Sequence, residues 1–154
     1  MSHLDHLLKH HFQNRKVYRS FLSAVSTENA NKIPEGFNNN IIWNCGHVIT
    51  VQQFFMYTWC GKTPVVDQEI FAQFAIGTKP ERQYDDQFIM FIKDELIRTS
   101  VKMDEDLKNE DFIPKKPFTT SIKTELTNAE ELISFINFHE GLHIGAAISL
   151  MKFL

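Results

Sequence analysis

The chain has 154 residues, 43% hydrophobic and 23% charged, with a formal net charge of -3. That suits one domain with a single core and excludes the strongly basic footprint of a nucleic-acid or anionic-membrane binder. No apolar run approaches the roughly 18 residues that span a bilayer, and the first residues, MSHLDHLLKHH, are too interrupted by polar groups for a signal peptide. Cys45 and Cys60 are too few for a disulfide framework and fit a reducing compartment, so the cytoplasm is the expected location.

In chain order, Ser2 can cap a first helix running to about Ala24, with Leu4, Leu7, Leu8, Phe12, Val17, Phe21 and Leu22 on a three-or-four stripe. His3, His6, His10 and His11 crowd its start. His6 and His10 have ligand spacing, but a solvated helix start is the expectation for the group. The stretch ENANKIPEGFNNN reads as a loop with Pro34 and Gly36 as breakers. A second, strongly apolar helix is expected from about Asn40 to Cys60, closed by Gly61 in the left-handed conformation. Residues 62–83 form a long connection with Pro64, Gly77 and Pro80, and a short helical turn is expected near Phe71. The third helix runs from about Asp86 to Asp106, and Phe112, Pro114, Pro117 and Phe118 mark the next connection. Thr127 and Glu130 read as a capping box opening a last helix nearly to Leu154. VIT and FTTSI tolerate β structure, but neither has a partner at hairpin distance. The expected fold is all-α: a single four-helix bundle over residues 1–154.

The last helix carries His139-Glu140-Gly141-Leu142-His143, which spells the H-E-x-x-H of zinc proteases. Two histidines four apart project from one helical face, so both can reach one ion at roughly 2.0–2.1 Å. Zinc proteases take a third ligand downstream, and the 11 residues that follow His143 contain no His, Asp or Glu. An upstream ligand is therefore expected. His47, alone among apolar neighbours in IIWNCGHVITVQQFF, is the candidate. At 1.5 Å per residue it lies about 20 Å from the end of its helix near Cys60. His139 and His143 lie about 18 and 24 Å from the start of theirs near Thr127. The heights match only if these two helices run antiparallel side by side, which requires one long crossover and makes the bundle up-down-down-up. Residues 62–83 are long enough to supply it.

Trp43, Asn44, Gly46 and His47 on the second helix, with His139, Glu140, His143 and Gly145 on the last, resemble the W-N-x-G-H and H-E-x-x-H-x-G patterns of the DinB/YfiT-like superfamily. The resemblance covers essentially the whole chain. It implies a four-helix bundle with a long crossover, a divalent metal held by three histidines, and often a homodimer. Some members are low-molecular-weight thiol S-transferases or a maleylpyruvate isomerase, and many have no assigned activity. Members commonly carry Gln after the last glycine, whereas Ala146 follows Gly145 here.

Nickel or zinc suits an all-imidazole site, and nitrogen ligation alone does not choose between them. Glu140, about 100° around the helix from His139, is expected to support the ligands or contact a neighbouring helix rather than act as a general base. Asn44 either orients His47 or makes a packing contact, and Trp43 and Phe54 are expected to line the pocket. Cys45 points away from His47 and is expected in the core. Gly141 and Gly145 suggest close approach by another helix or chain. The expected function is a metal-dependent thiol transferase or hydrolase-like enzyme, not a protease, acting on an unidentified small molecule. A non-catalytic metal-binding or stress-associated binding module is the alternative. The four arginines, Arg15, Arg19, Arg82 and Arg98, are scattered in sequence and mark no carboxylate site of a thiol cofactor.

Overall fold

The protein is described by a computed structural model over residues 2–154. Helix α1 spans His3–Ala24 and opens with a reciprocal capping box, Ser2 accepting from the Asp5 amide and Asp5 from the Ser2 amide. The ENANKIPEGFNNN loop is less irregular than expected. Ser26 caps a short helix α2, Thr27–Asn31, and Asn31 then ties the loop to Tyr84 by accepting from its amide at 2.8 Å.

Helix α3, Ile41–Gln53, starts at the Asn40 cap and is buried at every residue. The single helix expected to Cys60 runs on but changes type: Phe54–Thr58 form a π turn, in which the Trp59 amide reaches back to the Phe54 carbonyl. The wider turn brings Phe55 against Phe135, Tyr57 against Phe112, and Trp59 against Phe118. Gly61, at φ +75°, makes the left-handed exit that the sequence predicts.

The crossover contains helix α4, Gln68–Gln73, and α5 follows over Asp86–Asn109. FTTSI does find a partner. Strands β1 (Phe118–Thr119) and β2 (Glu125–Leu126) pair antiparallel, with Lys123 at φ 65° in the turn. The partner lay in the residues that follow, TEL, which carry no apolar alternation to betray it. The last helix, α6, spans Ala129–Met151, and its cap is one residue later than expected. Asn128 accepts from the Glu131 amide, while the Glu131 carboxylate accepts from Thr127.

Four long helices make the bundle, with α5 and α6 each packed between α1 and α3. Leu7 meets Asn137 and Tyr18 meets Glu140, so α1 and α6 run parallel. Asn44 meets His143 and Phe55 meets Phe135, so α3 and α6 run antiparallel. Gln52 meets Thr99 and Tyr57 meets Asp106, which makes α3 and α5 parallel and requires the long crossover between them. This is the up-down-down-up order.

The core is layered. One apolar half gathers Tyr18, Ile41, Ile42, Ile92, Leu96 and Leu150, and the other gathers Met56, Met103, Leu132, Ile133 and Ile136. Between them lies a buried polar layer: His11 and Arg15 from α1, Gln52 from α3, Thr99 and Ser100 from α5, and Glu140 from α6. His11, expected at a solvated helix start, is fully buried there, because the helix continues well past it and turns it inward. His3, His6 and His10 are exposed as expected.

Candidate metal centre

The antiparallel contact of α3 and α6 brings His47, His139 and His143 together, each offering a ring nitrogen within 4.8 Å of the other two. Nitrogens sharing one ion at roughly 2.0–2.1 Å lie at most about 4.2 Å apart. Binding would therefore require the widest pair to close by roughly half an ångström or more, a movement that side-chain rotation can supply. The ring centroids stand 4.5 Å apart for His139 and His143, and 4.8 Å apart for His47 and His143.

Two of the three imidazoles are held by residues outside the cluster. His47 donates from Nδ1 to the Phe74 carbonyl at 2.8 Å, which leaves its Nε2 lone pair free. Phe74 follows α4 in the crossover, and its ring packs over Gly46, where any side chain would collide with it. The Trp43 indole stacks on His47 with centroids 4.5 Å apart and planes 12° apart, and its Nε1 donates to Thr78 Oγ1 at 3.1 Å.

His143 donates from Nδ1 to Asn44 Oδ1 at 2.7 Å. The Asn44 amide cannot turn over without loss, because its NH2 donates to the Asn40 carbonyl at 2.7 Å and to Asn39 Oδ1 at 3.1 Å. Asn44 therefore orients an imidazole, but that of His143 across the helix pair rather than His47 one turn along. His139 keeps a buried Nδ1 with no partner among the described residues. An ion or a water would satisfy such an atom.

The electrostatics suit ligation. Burial, reinforced by the adjacent imidazoles, pushes His139 down to about 4 and His143 down to about 3. Burial also lowers His47, against the opposing pull of the Phe74 carbonyl. All three rings are thus neutral near pH 7, the form that binds a metal. Two anchored rings, an orphaned third nitrogen and an all-nitrogen donor set fit a divalent metal ion.

Residues 12–147 match the DinB superfamily. The chain belongs to that superfamily. No curated protein matches it.

In this DinB-superfamily chain the glutamate of H-E-x-x-H points away from the histidine cluster. Glu140 Oε1 accepts from Arg15 Nε at 2.8 Å and lies 3.2 Å from His11 Nε2, with all three side chains fully buried. It is a contact between α6 and α1. Burial alone would raise its pKa, but the charge of Arg15 and the His11 contact outweigh that and hold it below the ordinary range. Phe54, expected in the pocket, instead packs on Trp59 and Phe118. Cys45 is buried as expected, and burial pushes its thiol well up. Gly141 and Gly145 face open space, so no neighbouring helix among the described residues explains them.

Sequence reasoning missed Phe74, Thr78 and the partners of Glu140. Gly46 was the one available signal for Phe74, since a glycine beside a ligand inside a largely apolar helix implies a close neighbour.

Proposed function

We propose that His47, His139 and His143 hold one divalent ion, nickel or zinc, and that the protein uses it on a small molecule, as a low-molecular-weight thiol S-transferase or a hydrolase-like enzyme. The observation that carries this is the convergence of three neutral ring nitrogens, two of them on rings tied back through Nδ1. An ion there would serve as a Lewis acid that lowers the pKa of a thiol or water. The protein's own part is to keep the imidazoles neutral, to fix His47 through Phe74 and Trp43, and to fix His143 through Asn44.

A non-catalytic metal-binding role is the second reading. It is favoured by Glu140, the carboxylate nearest the ligands in sequence, being committed to Arg15 and so withheld from proton transfer. Metal analysis of untagged protein, followed by a thiol-conjugation screen with the loaded form, separates the two. One equivalent of metal with conjugation supports the enzyme, metal without turnover on thiol or ester substrates supports the binding module, and no metal removes both.

A homodimer through the outer face of α6 belongs to the same proposal. Phe138, Leu142 and Ile148 are 46%, 57% and 46% exposed on the helix whose glycines, Gly141 and Gly145, meet nothing. Sedimentation of wild type beside Leu142→Glu tests it. A cytoplasmic location is proposed on the two unpaired cysteines. Among the described residues no helix is long and apolar enough to cross a membrane.

A further inference from the structure

The buried polar layer stands at the height of the three histidines, and its central residue touches both ligand-bearing helices. Arg15 Nε donates to Glu140 Oε1 at 2.8 Å, directly after His139 on α6. Arg15 Nη2 donates to the Val48 carbonyl at 3.0 Å, directly after His47 on α3, and to Gln52 Oε1 at 3.4 Å. From the same face of α1, Tyr18 donates its hydroxyl to the Glu140 carbonyl at 2.5 Å. His11 completes the layer between Ser100 Oγ, 2.8 Å from Nδ1, and Glu140.

We propose that Arg15 is a positioning residue for the histidine centre, a tie from α1 that fixes the spacing of α3 and α6 behind the ligands. A guanidinium suits this task because its donors are held in one rigid plane, so two partners on different helices are fixed relative to each other. Lysine offers one rotatable ammonium and cannot impose that geometry. Burying a charged pair is a poor way to gain stability, since well-packed apolar residues of similar volume often do as well or better. A fully buried Arg15–Glu140 pair, with Glu140 directly after His139 and Arg15 also bonded to the Val48 carbonyl directly after His47, is better explained by what it orients.

This inference rests on the metal reading, and the experiment keeps the two apart. Nickel and zinc affinities are measured by titration calorimetry for wild type, Arg15→Lys and the double variant Arg15→Met with Glu140→Met. The cobalt(II) visible spectrum and the apo-protein melt are recorded for each. The double variant removes both buried charges together, so neither is stranded. Lysine keeps the charge that Glu140 needs. The expected result is an apo melt near wild type for at least one variant, with affinity weaker by about ten-fold or more and an altered cobalt spectrum, as for lost support behind a ligand. Wild-type affinity and spectrum in either folded variant would overturn the positioning role while leaving the metal reading intact. Wild type that binds neither ion would overturn the metal reading itself.

Discussion

The ring of Phe74 occupies the space in which a side chain at Gly46 would stand. A β-carbon on that glycine would lie 2.5 Å from ring carbons Cγ and Cδ1. The same residue's carbonyl accepts the Nδ1 proton of His47. One residue of the crossover thus packs against α3 and orients a ligand, and the packing is possible only because position 46 has no side chain. Gly46→Ala is expected to displace Phe74, destabilise the protein by about 1–3 kcal/mol as other overpacked cores do, and weaken metal binding. A thermal melt and a metal titration on the same sample check both effects. An unchanged affinity would show that the Phe74 carbonyl does not matter to His47.

Asn44 should matter through its oxygen. Asn44→Leu removes the acceptor for His143 Nδ1 and is expected to reduce metal affinity 10- to 100-fold, the usual cost of losing support behind a ligand. Asn44→Asp keeps an acceptor and should bind closer to wild type. If the two variants bind alike, the hydrogen bond is incidental.

The ion is not expected to be a staple for the fold. Buried side chains fill both apolar halves of the core without it. Chelated protein should keep its helical circular dichroism and melt cooperatively, at a lower temperature. The stabilisation lost should be about 3–4 kcal/mol when the metal had been present at a hundred to a thousand times its Kd. Loss of most helix at room temperature on chelation would make the site structural.

Acid should destabilise the metal-free protein in a defined window. His139 and His143 are held at about 4 and about 3 in the fold, against an ordinary value of 6.5. Between those limits the unfolded chain binds more protons than the native one, so stability rises with pH there. The contribution is complete above pH 6.5 and is lost as pH falls towards 4 and then 3. Apo-protein melts across that range should show the decline, and the double variant His139→Asn with His143→Asn should flatten it. A wild-type profile no steeper than that of the variant would count against the depressed values.

Glu140→Gln is expected to act on stability and not on proteolysis. It leaves Arg15 buried without its counter-charge, a change that typically costs 3–5 kcal/mol. Purified protein should not cleave casein with any divalent metal, because Glu140 faces α1 and the described strands are only two residues long. Metal-dependent cleavage abolished by this variant would contradict that expectation.

Much of this was legible in the sequence because periodicity and spacing are local properties. Three-or-four apolar stripes set the long helices, and the four-residue gap put His139 and His143 on one face. The height of His47 along its helix already required the antiparallel partner and the long crossover. Other features depend on residues far apart in the chain, and only the tertiary structure decided them. Phe74 lies 27 residues from the His47 it orients, and Arg15 lies 125 residues from Glu140. A backbone carbonyl has no letter of its own, so the partner of His47 Nδ1 could not be read. Glu140 follows His139 by about 100° of helix, so it need not face the ligands, and the sequence leaves open what it does face. The packing of α1 against α6 supplied Arg15 there. That contact turned the glutamate of a protease-like motif into an internal tie.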